Sequence, residues 1–240
     1  MKQEFLDRMK ELLQEEYPQF ERSLQEELCR GVRINPLKIR EEDFLSLFPY
    51  EVKHTSFCRE GFYLSQTAAQ VGNHPLHLAG AIYLQEPSAS APVEVLGVEQ
   101  GDFVLDLCAA PGGKSTQLAA KLANSGTLIA NEYDPKRARI LLSNMERMGF
   151  GEVIITNAHP SQLEKQWEGW FDKILVDAPC SGEGMMKKHD AAAEEWSQAH
   201  VCACGDRQVQ ILHSAFAMLK ESGILVYSTC TYAKEENEMV

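Results

Sequence analysis

Apolar side chains recur at helical spacing at the start of the chain, with Phe5, Met9, Leu12 and Leu13 on one stripe and Phe20, Leu24 and Leu28 on a second beyond Pro18. The pattern predicts helix across residues 1–30, interrupted at Pro18 and stopped at Gly31. GVRINPLKI (31–39) reads as a short strand and turn, and Glu41, Glu42 and Asp43 open a helix that Pro49 ends. AIYLQEPSASAP (81–92) is rich in small and turn-forming residues and reads as a linker between two unequal domains, 1–80 and 81–240. From Gly101 the alternation becomes regular. DFVLDLC is a strand, STQLAAKLANSG a helix, TLIANEY a strand, and PKRARILLSNMERM a helix with Pro135 at its start and Gly149 just past its end. VIITN, FDKILVDAP, a helical stretch from Gln198 to Leu219, and GILVYSTC continue the series. Strands that are apolar and β-branched along their length are buried on both faces, so this part is predicted to be an α/β fold with a parallel sheet, preceded by a small α+β domain.

Composition narrows the picture. With 240 residues, 44% of them hydrophobic, the chain can bury a sizeable core. Seven cysteines, an odd number, with no leader-like opening and no apolar run long enough to span a bilayer, give the expectation of a reducing cytoplasm, no membrane and a monomer. The formal charge is -12, and residues 81–240 carry 13 basic against 22 acidic side chains. That balance argues against tight nonspecific phosphate binding by this segment alone, although a local basic strip would still serve nucleic acid.

The candidate chemistry gathers after the strands. Cys108-Ala109-Ala110-Pro111-Gly112-Gly113-Lys114 is a glycine turn between strand and helix. A P-loop needs glycine, four residues, then Gly-Lys-Ser; Gly113, Lys114 and Ser115 fit, but the first glycine position holds Cys108. The GxGxxG of a dinucleotide fold is missing too. A turn without a phosphate cradle, followed on the next strand by Glu132, suits a nucleoside whose ribose hydroxyls a carboxylate accepts, and S-adenosylmethionine is the simplest such ligand. Two cysteines stand at strand ends, Cys180 in DAPCSGEG and Cys230 in STCTY. A lone cysteine there is usually a small buried hydrophobe, but two in these contexts favour covalent chemistry. Cys202 and Cys204 form only a CxC, and with Cys58 and scattered histidines they fall short of four well-spaced ligands, so no metal is expected.

CAAPGGK (108–114), NEYDPKRARIL (131–141), DAPCSGEG (177–184) and STCTY (228–232) together resemble the motifs of RNA 5-methylcytosine methyltransferases of the Sun and RsmF type. FLDRMKELLQEEYPQF, GVRINPLKI and YLQEPSAS extend the resemblance to ribosomal RNA enzymes of the RsmF type. It implies a class I, Rossmann-like methyltransferase sheet, a cofactor cradled by residues 108–114, ribose held by Glu132, and Asp177 near cofactor and target base. It also implies Cys230 as the nucleophile toward carbon 6 of cytosine and Cys180 as the residue that assists proton removal and release, with 16S ribosomal RNA ahead of transfer RNA as substrate. Two departures stand out. His159 occupies the place where relatives carry an aspartate for the adenine amino group, and the chain stops at Val240, which gives the expectation of a truncated protein whose sheet is incomplete at its C-terminal edge. A methyltransferase acting on amino groups is disfavoured by a thiol where an aromatic is needed, and a noncatalytic RNA-binding module remains the other reading.

Overall fold

A computed structural model of the chain describes residues 1–65, 71–188 and 190–240. It contains two sheets. The first has β1 (Arg30–Ile34), β2 (Val52–His54), β3 (Gly61–Leu64) and β4 (Ile82–Leu84) in the order β2-β3-β1-β4, with neighbouring strands antiparallel. The second has β5 (Phe103–Asp106), β6 (Thr127–Asn131), β7 (Val153–Thr156), β8 (Phe171–Asp177) and β9 (Leu219–Ser228) in the order β7-β6-β5-β8-β9. β5 pairs in parallel with both β6 and β8, and β6 with β7. Strand order reverses between β5 and β8, and in such open sheets ligands bind outside the carboxyl ends of the strands at that switch. The glycine turn and the DAPC segment follow the two strands that border it, and Glu132 follows β6, the next strand beyond β5.

The regular part of the sequence forms as its pattern dictates. The helix Pro135–Met148 begins with Asp134 accepting from the Lys136 and Arg137 backbone N–H groups and ends at Gly149, whose φ of 78° no β-branched residue tolerates. The 81–92 segment differs from a linker. Ile82–Leu84 forms β4 and pairs with Val32–Ile34, because three apolar residues facing a buried strand are worth more than the turn propensity of their neighbours. The N-terminal helix is also shorter than its apolar spacing suggests. It runs Gln3–Leu13, and a second helix covers Tyr17–Ser23, where Pro18 falls in the first turn instead of breaking one. Its last carbonyl, Ser23 O, accepts from Lys187 Nζ at 2.6 Å, so Leu24 to Leu28 lie beyond it.

The chain divides into two compact units. One comprises residues 29–177 and 212–227 and holds both sheets. Its cores are Val104, Leu118, Leu128, Leu141 and Leu175 around the parallel sheet and Val32, Phe44, Phe62 and Ile82 around the antiparallel one. The other is discontinuous, made of residues 1–28, 178–211 and 228–240, and its core is Phe5, Met9, Met186, Trp196, Val201 and Ala233.

Candidate active site

The first unit presents the glycine turn. Gly112, at φ 111°, reverses the chain so that the helix Gly113–Leu122 can start, and a Cβ there would lie 3.2 Å from Leu141 Cδ1. Arg33 braces the turn from β1. Its buried guanidinium donates to Gly113 O and Thr116 Oγ1, both at 2.7 Å, and to Gln85 Oε1, with burial drawing its pKa down to about 10. Lys114 Nζ pairs with Asp177 Oδ2 at 2.7 Å, joining the turn to the end of β8. Glu132, almost fully buried, accepts from Asp134 N at 2.9 Å and lies 3.5 Å from Arg137, whose other nitrogen donates to Ala110 O. Arg137 thereby ties the carboxylate to the turn. The Cys108 thiol is pushed up by burial and by the carboxylates of Asp106, Glu132 and Asp177, so it is a packed group and no nucleophile.

A residue that the sequence did not single out dominates this region. Asp106 ends β5, is fully buried, and accepts from Ser115 Oγ at 2.7 Å through Oδ2. Its Oδ1 has no hydrogen-bond partner among the described residues, and burial raises its pKa to about 7, with Ser115 opposing. An unfilled buried acceptor beside a glycine turn fits a ligand that brings a cationic N–H donor. The only sequence signal was an aspartate inside an otherwise apolar strand. His159 is at the start of the helix Pro160–Glu164, where its ring accepts from Ser161 N and Gln162 reaches back to its own N–H. Its ring stands edge-on to Tyr133, with centroids 5.5 Å apart.

The second unit presents the thiols. Cys180 Sγ and Cys230 Sγ are 3.3 Å apart, Cys180 partly buried and Cys230 exposed. The neighbouring sulfur, then burial, push the Cys180 thiol up, so Cys180 keeps its proton and can donate toward Cys230. Lys187 Nζ, on the chain beyond Cys180, donates to Ser23 O at 2.6 Å. Cys202 is exposed and Cys204 buried. Elsewhere, Cys58, Glu60 and Glu94 bring their donor atoms within 4.8 Å of one another, but Gln117 and Lys121 already bond Glu94.

A strand order of β7-β6-β5-β8-β9 with a glycine turn after β5 and a buried carboxylate after β6 defines the class I, Rossmann-like methyltransferase fold. Comparison with known proteins narrows that class. Residues 93–240 match the family described as 16S rRNA methyltransferase RsmB/F, and residues 1–87 match the N-terminal domain of 16S rRNA methyltransferase RsmF. The chain belongs to the RsmB/F family. It is 38% identical over 247 residues to ribosomal RNA small subunit methyltransferase F of Pectobacterium carotovorum, covering 99% of this chain and 51% of the relative. With the protein of the same name from Vibrio parahaemolyticus it is 39% identical over 227 residues, covering 90% of this chain and 47% of the relative. The chain thus spans about half the length of these curated relatives. Among solved structures, a methyltransferase homolog from Pyrococcus horikoshii superposes with a TM-score of 0.86 at 33% identity, covering 100% of this chain and 76% of that one. NSun6 from the same organism, at 22% identity and TM-score 0.88, covers 99% of this chain and 85% of that one and shares the fold.

Proposed function

We propose that this chain carries the catalytic part of an S-adenosylmethionine-dependent RNA methyltransferase that modifies carbon 5 of cytosine, with 16S ribosomal RNA as the substrate. The observation that carries the reading is the pair of thiols 3.3 Å apart in the DAPC and STC segments. Carbon 5 of cytosine is a poor nucleophile, and addition of a thiolate to carbon 6 makes it electron-rich. Cys230, the exposed member, is assigned this attack. Cys180, beside it, is assigned to assist proton removal at carbon 5 and release of the adduct, acting as a base once its own thiol proton has been given up.

The residues of the turn fit the cofactor. Residues 108–114 would form the cradle, Asp106 Oδ1 would accept from the ammonium group, Glu132 would hold the ribose hydroxyls, and His159 beside Tyr133 would take the adenine amino group. When bound, the cofactor supplies an electrophilic methyl group on a sulfonium. Asp177 orients the base through its amino group or ring nitrogen and keeps Lys114 in place. Matches to enzymes named for the ribosomal small subunit support ribosomal over transfer RNA.

The test is covalent capture, made in a protein of the relatives' full length. Cys230→Ala should abolish both methylation and any protein–RNA adduct, and Cys180→Ala should let the adduct form and persist on a denaturing gel. An adduct that survives Cys230→Ala and disappears with Cys180→Ala reverses the two roles.

A further inference from the structure

We infer that Glu183 and Glu236 are positioning residues that set the separation of the two thiols, each reaching from one cysteine loop into the other. The inference rests on the thiol pair being the reacting group. Glu183 follows Cys180 in the same loop and is 2% exposed. Its Oε2 accepts from the backbone N–H of Tyr232, just past Cys230, at 3.0 Å, and its Oε1 accepts from Trp196 Nε1 at 2.9 Å. Glu236 lies beyond Cys230 and is fully buried. Its Oε2 accepts from the backbone N–H of Ser181, next to Cys180, and from Gln208 Nε2, both at 2.9 Å. The arrangement is therefore reciprocal: the Cys180 loop holds the backbone beyond Cys230, and the segment beyond Cys230 holds the backbone beside Cys180.

Two further bonds close the same seam. Gly184 N donates to Cys230 O at 2.9 Å, and the hydroxyls of Ser181 and Thr231 are 2.9 Å apart. A Cβ at Gly184 would meet Cys230 O at 2.9 Å, so only glycine permits that approach. Burying a carboxylate is unfavourable unless it is paired, and here both oxygens of Glu183 and Oε2 of Glu236 find N–H donors on the opposite loop or its support. With the backbone on both sides of the thiols fixed, the sulfur atoms have little freedom to part.

The experiment reads the thiols before it reads RNA. Under dilute hydrogen peroxide the two thiols give up two electrons and two protons to form one disulfide, and the peroxide is reduced to two waters. Peptide mass spectrometry measures the rate at which Cys180 and Cys230 become joined. Glu236→Ala should slow this joining by about 100-fold, the loss that a misplacement of roughly 1 Å brings to a reaction between fixed groups. Glu236→Gln should restore it to within about fivefold, since one amide oxygen can accept from both Ser181 N and Gln208. Glu183→Gln, which leaves one acceptor for two donors, is the second variant if Glu236→Ala does not fold, and it too should join slowly. Joining at the parent rate in Glu236→Ala, or in Glu183→Gln where that variant replaces it, overturns the positioning role. The same variants are then scored for RNA adduct. Slowed joining together with no adduct in the parent would leave the positioning intact and reject the covalent route.

Discussion

Asp106 shows how one side chain can couple the glycine turn to pH. Its carboxyl sits at about 7 in the folded protein because burial penalises the charge. An unfolded aspartate titrates near 4, so the folded chain holds this proton longer than the unfolded chain does, and the stability it contributes is full below about pH 4 and lost as pH rises through about 7. A cationic ligand reverses the preference, since it selects the ionised carboxylate. Affinity for S-adenosylmethionine should therefore climb by up to about tenfold per unit as pH rises toward 7 and then level, with proton release below that point. Calorimetry across this range checks it, and Asp106→Asn should flatten the profile. A parent protein whose affinity does not change between about pH 5.5 and 7.5 would remove Asp106 from the ligand's contacts.

At the scale of elements, the antiparallel sheet is fastened to the helix Pro135–Met148 by backbone carbonyls. Asn35 Nδ2 donates to Gly80 O and Met148 O, Lys38 Nζ to Ala79 O and Arg147 O, and Arg147 to His77 O. Gly80 makes the approach feasible: its φ is 70°, and a Cβ would come within 2.0 Å of Arg147 O. Gly80→Ala should cost about 3 kcal/mol or more, from strain and overpacking together, seen as a lowered thermal midpoint. A midpoint within about 2 °C of the parent would mean that the loop yields freely. The same elements show what the sequence can convey. β5, β6 and β8 are legible because both their faces are buried, whereas β2 is three residues long with Lys53 and His54 exposed and carries no period to read. β4 hides between Gly80 and Pro87 in what looks like a linker. Cys180, Cys230 and the glycine turn are legible from local motifs. Glu183 and Glu236 are not, because their partners lie 49 and 55 residues away and only folding brings them together.

For the molecule as a whole, a net charge of -12 leaves few cations to spare for phosphate. Several that exist are committed internally, Arg33 to the turn, Lys114 to Asp177 and Arg8 to Glu235. RNA binding by this chain should accordingly depend weakly on salt, with a log–log slope of magnitude below about 3, measured by fluorescence anisotropy from about 50 to 200 mM salt. A slope of about 6 or more would reveal a basic strip that the charge balance conceals.

The discontinuity of the thiol-bearing unit carries its own consequence for how the protein comes into being. A ribosome releases the chain from the N-terminus, so the helix Gln3–Leu13 emerges while its partners Trp196, Val201 and Ala233 are still unmade. Phe5 and Met9 must wait for them, and Arg8 meets Glu235 across a separation of 227 residues. Contacts so distant in sequence form late and slowly. The glycine turn, by contrast, is complete with its surrounding strands once Asp177 has been translated, apart from β9. Within these residues the thiol pair therefore assembles after the glycine turn: a nascent chain interrupted before Ser228 carries the turn with a lone Cys180 and a first helix whose apolar face lacks Ala233.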